Sequence, residues 1–470
     1  MIRILQLTGT WLVLGASRAQ AHAAEQGFVL LLPTNLYIAT GIAAVVLTIL
    51  VLALAPSHLL RRMFGTLKLP PVGCPEFLRT ASSLASLVVL ALLVVLGLTG
   101  PGDPLTNPLP LAVWTVWWIV ILFLQGVVGD IWSFINPWTG LHRVLTGGRS
   151  AGLLAPPSAW IGHGIGILFL LVFHIVSLAD PAPDNPPRLA VFVVTYWLVT
   201  VAGMLLYGQE AWLERSECFT MLFRLVGRLS PLRLARGGSE AGLPGWQLVR
   251  LENVPAGLAL FVLIALGTGS FDGLNETFWW LAQIGVNPLE FPGRSAVIGE
   301  TVAGIIAASL LLILVFSACT WIGIRLAATG TGHGEATGFG TAFRRLSISV
   351  LPIAFGYHAA HYLTAFMVNI QYAAAAANDP LGTGADLLGL GHFYVTTGFF
   401  NTRDSVRIIW LTQCFAVVAG HVIAVMVAHE IASRIFRTGR QALLSQIPMS
   451  VFMILYTLLS LWLLASPRGA

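Results

Sequence analysis

Residues 346–370 read LSISVLPIAFGYHAAHYLTAFMVNI and contain no Asp, Glu, Lys or Arg. A helix needs about 20 mainly apolar residues to cross the hydrocarbon core of a bilayer, so this stretch is long enough to span a membrane. Two histidines, His358 and His361, lie three residues apart near its middle. Ionisable side chains inside a bilayer are energetically expensive, and they face a bundle interior or a cavity. The stretch therefore predicts a membrane-spanning helix that also carries a functional site.

Nine further runs of similar character lie on either side of this stretch. The chain of 470 residues is 56% hydrophobic and only 10% charged, whereas about 25% of residues are charged in a soluble domain. We predict an all-α polytopic integral membrane protein, a helical bundle of about ten transmembrane helices that forms one domain over residues 22–470. The predicted spans are residues 36–55, 80–100, 109–128, 159–179, 189–207, 254–271, 298–326, 346–370, 406–433 and 447–465.

The first residues have the pattern of a secretory signal peptide. Arg3 precedes a short apolar stretch, and Ala19-Gln20-Ala21 has the small-residue spacing of a cleavage site. We predict a cleaved signal peptide over residues 1–21, which leaves His22 as the new N-terminus. Ala21-His22-Ala23 offers a second cleavage site, which would leave Ala24 first.

The basic residues are divided unevenly between the alternating loops. If the mature chain begins outside, the inner loops and their edges hold eighteen Lys and Arg residues and the outer side holds five. The five are Arg188, Arg294, Arg403, Arg407 and Arg468. Because cytoplasmic loops are rich in Lys and Arg, we expect ten spans with both mature ends outside. The net charge of +5 is spread over separate loops, so the lipid bilayer is the expected partner and nucleic acid is not.

The histidines are the strongest candidates for a metal site. His421 lies near the middle of the span after His358 and His361, and consecutive elements often pack together. We therefore expect these three imidazoles to converge in the bundle interior, joined by His174 from the fourth span. Neutral imidazoles are typical ligands of Zn²⁺, Cu²⁺ and Fe²⁺, so the predicted cofactor is a divalent metal ion held by these four residues.

Two carboxylates are the candidate catalytic residues. Asp272 ends the sixth span and Glu300 opens the seventh, both on the outer side. A metal held nearby can generate hydroxide near neutral pH and polarise a phosphoryl oxygen. Two other interpretations stay open: paired histidines in spans can ligate haem, and each histidine can simply donate one hydrogen bond to a neighbouring backbone.

Several short sequence motifs, referred to below as words, occur in order along the chain. They are Gly129-Asp130 with Asn136-Pro137-Trp138, Glu210-Ala211-Trp212-Leu213-Glu214-Arg215, Phe271-Asp272-Gly273, Glu300-Thr301-Val302, Ala360-His361-Tyr362, Asp379-Pro380-Leu381-Gly382, and Ala419-Gly420-His421-Val422 with Ala428-His429. Through these words most of the mature chain resembles the bacterial membrane proteins known as fenitrothion hydrolases. The resemblance implies hydrolysis of an organophosphate triester by a protein of the bacterial inner membrane.

Three functions remain open from the sequence. The first is a metal-dependent hydrolase that acts on an organophosphate-type ester at the intramembrane histidines. The second is a transporter or metal-handling permease that uses the same histidines as an ion or proton site. The third is a haem-binding electron carrier. The expected small-molecule partner is accordingly an ester or an ion, and a partner membrane subunit is compatible with each of the three.

The signal peptide yields the first testable prediction. Protein sequencing of the purified chain is expected to return His22 or Ala24 as the first residue. The substitution Ala21→Asp places a charge at the last position before one cleavage site and three positions from the other, so it is expected to block both. The wild-type chain beginning at Met1 would contradict the prediction.

Overall fold

The computed structural model describes residues 32–55, 62–235, 237–329, 337–391 and 394–468, so the predicted signal peptide and His22 lie outside the described residues. In these ranges the chain is mostly helical, with one small sheet. Nine of the described helices are long and apolar enough to cross a membrane. The predicted all-α polytopic bundle is therefore confirmed.

The described helices divide between two halves of the chain. The amino-terminal half contains α1 (Thr34–Leu54), α2 (Glu76–Thr99), α3 (Pro108–Val128), α4 (Trp132–Ile135), α5 (Thr139–Thr146), α6 (Ala159–Ala179), α7 (Pro186–Tyr207), α8 (Gln209–Arg215) and α9 (Cys218–Gly227). The carboxy-terminal half contains α10 (Trp246–Val249), α11 (Ala256–Asn275), α12 (Phe278–Gln283), α13 (Ile298–Ala328), α14 (Phe339–Ser347), α15 (Leu351–His361), α16 (Leu363–Asn378), α17 (Arg403–Ile435) and α18 (Gly439–Ala465). The nine helices that can cross a membrane are α1, α2, α3, α6, α7, α11, α13, α17 and α18.

The eighth predicted span, residues 346–370, is the one that does not form a single helix. A 3₁₀ turn at residues 348–350 leads into α15, and α15 gives way to α16 at Tyr362. Near this break the buried side chain of Gln413 donates a hydrogen bond to the Ala360 carbonyl at 3.0 Å. A side chain that bonds to a helix carbonyl in this way is a known cause of helix bending, and it satisfies the backbone where water is absent. Together α15 and α16 make a discontinuous span.

The middle of α3 is the second irregular segment. Residues Ala112–Ile121 are π-helical, with ordinary α-helix on both sides. Wider π-helical turns are rare, and they often occur at functional sites. The discontinuous span packs beside α3, because α16 contacts both the first turn and the π-helical part of that helix.

The loops gather at two ends of the bundle. The first, the basic end, comprises residues 62–75, 129–158, 208–235, 237–255, 337–350 and 436–438. The other, the distal end, comprises residues 100–107, 180–185, 276–297, 379–391 and 466–468. At the basic end, strands β1 (Leu67–Leu69), β3 (Ser239–Ala241) and β2 (Leu232–Arg233) form an antiparallel sheet in that order. At the distal end, Thr277 forms a β-bridge with Arg468.

Two glycines allow α15 and α17 to cross in close contact. A Cβ atom added at Gly356 would lie 2.5 Å from the Ala416 carbonyl oxygen, and one added at Gly420 would lie 2.5 Å from the Pro352 carbonyl oxygen. Small residues at such crossings let two backbones approach and gain van der Waals contact inside a membrane. The crossing therefore fixes the position of the helix that carries His358 and His361.

This crossing predicts a clear difference between two glycine substitutions. Gly420→Ala is expected to destabilise the protein by about 1–3 kcal/mol, because the new methyl group meets backbone rather than a flexible side chain. Gly164→Ala is the matched control, since nothing lies within 4 Å of its added Cβ in α6. Thermal unfolding in detergent measures both variants. Equal midpoints for Gly420→Ala and wild type would show that the contact is not tight.

Candidate functional site

Four of the six predicted site residues line one internal cavity. His174, Asp272, His358 and His361 contribute to its wall, and Tyr362 joins them at the break between α15 and α16. The cavity has a volume of about 60 Å³. That is enough for several water molecules, because one water needs only about 10–15 Å³. The remaining lining residues are Trp118, Leu122, Leu170, Leu222, Val226, Ala265, Leu266, Gly269, Leu351, Ala354, Phe355 and Tyr357.

Asp272 is the acidic group of the cavity and lies in the last turn of α11. Its Oδ2 accepts a hydrogen bond from the Tyr362 hydroxyl at 2.5 Å, and the same oxygen lies 3.4 Å from Nε2 of His361. The side chains of Asp272 and His361 are only 16% and 8% exposed. A buried carboxylate is costly unless donors surround it, so these two neighbours offset the loss of solvent.

Arg468 reaches His361 from the segment that follows α18. Its Nη2 lies 3.2 Å from Nδ1 of His361. A guanidinium group only donates hydrogen bonds, so Nδ1 accepts and the neutral imidazole carries its proton on Nε2, next to Asp272. Both ring nitrogens of His361 are therefore engaged, one by a cation and one by a carboxylate.

His358 connects the discontinuous span to the irregular part of α3. Its Nε2 lies 3.0 Å from the carbonyl oxygen of Trp118, within the π-helical segment. A carbonyl only accepts, so Nε2 carries the proton of this imidazole and Nδ1 keeps its lone pair. The Trp118 indole also packs edge-on against the ring, with 5.2 Å between centroids. The two irregular segments thus meet at a polar contact on the cavity wall.

His174 approaches the same cavity from α6. Its Nδ1 lies 2.9 Å from the Leu170 carbonyl oxygen, one turn earlier in the helix. Nδ1 therefore donates and Nε2 keeps a lone pair. No described residue forms a hydrogen bond with Nε2 of His174 or with Nδ1 of His358. These two nitrogens are available as acceptors for a small molecule or a water.

His421 does not line this cavity. Its Nδ1 lies 2.8 Å from the Val417 carbonyl oxygen, and its ring centroid is 6.4 Å from that of Tyr456. The expected convergence with His361 is not found among the contacts of the described residues. The reason is rotational: α15 meets α17 at Gly356, and a residue two positions later, His358, points to roughly the opposite face of the helix.

Glu300 also lies away from the cavity. It is exposed in the first turn of α13, while the next residue, Thr301, is buried and contacts Asn275. Neighbouring residues of a helix point about 100° apart, so the face that packs inward carries Thr301 and not the carboxylate. The expectation that Glu300 adjoins the histidines therefore does not agree with the structure.

The cavity residues do not fit a divalent metal ion in this arrangement. Among the described residues, no group of three or more His, Cys, Asp or Glu side chains is placed to hold a metal. His361 is also occupied by the cation of Arg468 at 3.2 Å, which would repel a second cation. The volume of about 60 Å³ is too small for a haem, since small-molecule sites have about 300–1,000 Å³.

Two residues of the site, Tyr362 and Arg468, were not predicted from the sequence. Tyr362 follows His361 directly, and its role depends on the helix break, which hydropathy does not show. Arg468 is separated from His361 by 107 positions. Its position did indicate a specific role, because it is one of only five basic residues expected on the outer side.

Comparisons of this chain with models of known families, with characterised proteins and with solved structures found no match. The resemblance to fenitrothion hydrolases therefore stays a prediction. What defines the site is its own geometry, a buried carboxylate, imidazole and guanidinium at the break in a spanning segment.

The pairing of Asp272 predicts a large effect on stability. Asp272→Ala is expected to cost about 1–3 kcal/mol, because the buried donors of Tyr362 and His361 lose their acceptor. Asp184→Ala, at an exposed position of the distal end, is expected to change stability by less than about 0.5 kcal/mol. Thermal unfolding of both variants in detergent tests this. A change of similar size in the two variants would contradict the assigned pairing.

Proposed function

We propose that this protein is a proton-coupled membrane transporter whose proton site is formed by Asp272 and His361. The observation that carries the proposal is the chain of side chains from Arg468 through His361 and Asp272 to Tyr362, at the break in a spanning segment. Transporters commonly bind substrates and coupling ions where a spanning helix is interrupted. Acidic residues and histidines inside a membrane are typical proton relays.

The contact between Arg468 and His361 links proton binding to a change in the contacts of the carboxy-terminal segment. Neutral His361 accepts a hydrogen bond from Arg468 through Nδ1. A second proton would bind at that same nitrogen and would place two positive charges side by side. Two unit charges 4 Å apart repel by about 4 kcal/mol at an effective dielectric constant of 20. A proton on Nδ1 removes the lone pair that accepts the hydrogen bond from Arg468, so proton binding breaks this one contact.

The basic residues at the two ends of the bundle indicate which end faces the cytoplasm. Eighteen basic residues fall in the predicted inner loops and five on the outer side, which supports a cytoplasmic position for the basic end. In a bacterial inner membrane the distal end, with both mature termini, then faces the periplasm. Asp272 lies three positions from the last residue of α11, so the proton site is nearer the periplasmic surface.

A hydrolase is the second candidate, favoured by the two acceptor nitrogens on His174 and His358. An imidazole with a free lone pair beside a water-sized cavity can take a proton from an attacking water. The sequence resemblance implies such an activity toward an organophosphate ester. A triester would need a wider cavity than about 60 Å³, so this reaction requires the cavity to widen.

Proton movement in vesicles tests the primary proposal. The purified protein is reconstituted with a pH-sensitive dye inside, and a potassium gradient with valinomycin sets a membrane potential. Wild-type protein is expected to carry protons inward, and Asp272→Asn is expected to reduce the rate to that of protein-free vesicles. Asp184→Asn, exposed at the distal end, is the matched control and should behave as wild type. No flux with wild type, or equal flux with Asp272→Asn, would refute the transporter.

The hydrolase is tested with the same preparation before reconstitution. Detergent-solubilised protein is mixed with a p-nitrophenyl phosphotriester, and release of p-nitrophenolate is followed. Turnover that needs no second compartment and is lost in His174→Ala would support the second candidate. The two experiments separate the functions, because only the transporter depends on a gradient.

A further inference from the structure

A second cavity lies at the basic end, far along the chain from Asp272 and His361. It has a volume of about 150 Å³. Its wall comes from the first turn of α2, from the segment containing α4 and α5, and from α8 and α9. The proton site proposed above uses none of these elements. This second cavity therefore needs its own explanation.

Three arginines line this cavity: Arg79, Arg143 and Arg224. Arg143 is paired with Glu76 at 3.2 Å and donates a hydrogen bond to Thr80. The other two form no ion pair with any described residue. The guanidinium of Arg79 instead stacks 4.8 Å above the Phe134 ring. Two exposed guanidinium groups without a carboxylate partner among the described residues therefore line the same cavity.

The one carboxylate on the wall, Asp130, is held by its own loop. Its Oδ1 accepts hydrogen bonds from Gln125 Nε2 at 2.9 Å and from the Ser133 backbone N–H at 3.2 Å. These bonds hold Oδ1 between the end of α3 and the loop that follows it, and Asp130 forms no ion pair with the three arginines. The electrostatic balance of the cavity is therefore positive.

The floor of the cavity is rigid and polar. Ser83 donates a hydrogen bond to the Asn136 carbonyl at 2.6 Å and accepts one from the Gly140 N–H at 2.7 Å. This joins the segment between α4 and α5 to α2. Trp132 Nε1 donates to the Thr220 hydroxyl at 3.2 Å and ties α4 to α9. A preformed cavity with fixed donors loses little entropy when an anion binds.

We propose that this cavity binds a phosphate group, either from an anionic phospholipid headgroup or as free phosphate. Guanidinium groups match the geometry of phosphate oxygens, and hydroxyl and backbone donors complete such sites. The helices that carry Arg79 and Arg143 also expose the apolar side chains of Phe77 and Leu145, by 69% and 58%, as expected for helices beside lipid. Basic pockets between spanning helices at the cytoplasmic side are typical positions for anionic headgroups.

Thermal unfolding with defined probes tests the proposal. Detergent-purified protein is heated with dioleoylphosphatidylglycerol, with dioleoylphosphatidylcholine, or with inorganic phosphate alone. The test variant carries both Arg79→Gln and Arg224→Gln, which break no ion pair among the described residues. The control is Arg440→Gln, exposed at the start of α18 and outside the cavity.

Phosphatidylglycerol is expected to raise the midpoint of wild type and of Arg440→Gln by about 2–4 °C, as a ligand well above its dissociation constant does. The double variant should lose this rise. If inorganic phosphate alone gives the rise, the ligand is free phosphate. If only phosphatidylglycerol does so, the ligand is a lipid headgroup. No rise in wild type, or the same rise in the double variant, would overturn the proposal.

Discussion

The carboxylate of Asp272 imposes the main constraint on this bundle. Inside a membrane no bulk water replaces a lost hydrogen-bond partner, so a buried charge must find donors from the protein itself. Tyr362 supplies one donor at 2.5 Å, and His361 supplies a second at 3.4 Å. Arg468 then fixes the tautomer of His361 from its far side. Three chain segments that are distant in sequence are thus joined around one acidic group.

The two irregular segments also carry polar contacts between helices. A helix carbonyl keeps a second lone pair that can accept from a side chain. Trp118, in the π-helical part of α3, accepts in this way from His358. Ala360, beside the helix break, accepts from Gln413. Both irregular segments therefore supply backbone acceptors to buried polar side chains of neighbouring helices.

Hydropathy predicts the spans of this protein well and their internal details poorly. Nine predicted spans coincide with continuous helices, eight of them to within four residues at each end, whereas α18 begins eight residues before its predicted span. Hydropathy succeeds here because burial in lipid is a property of each stretch by itself. The break at Tyr362 lies inside the remaining predicted span, residues 346–370, since an apolar run has the same hydropathy whether its helix is continuous or interrupted. The sequence likewise indicated that α15 and α17 would be neighbours, but not which faces meet.

The positions of the site residues could likewise be predicted only in part from the sequence. Asp272, His174, His358 and His361 share a cavity because each is an ionisable residue on an inward face. His421 differs because the crossing glycines, Gly356 and Gly420, decide how the two helices are rotated. Arg468 approaches from far along the chain through a backbone bridge to Thr277. Such a contact depends on tertiary packing, which no local pattern in the sequence encodes.

The glycine crossing also makes the two helices of the discontinuous span differ, because it fixes α15 against α17 and does not involve α16. Below Tyr362, α15 cannot slide along α17 without forcing backbone against backbone. Above Tyr362, α16 has two fully buried residues, Ala376 and Asn378, and packs on α3 through half-buried side chains. The hydroxyl of Tyr362, at the junction of the two helices, is bonded to Asp272. A tilt of α16 at this junction would therefore act on the carboxylate near the distal end of the bundle.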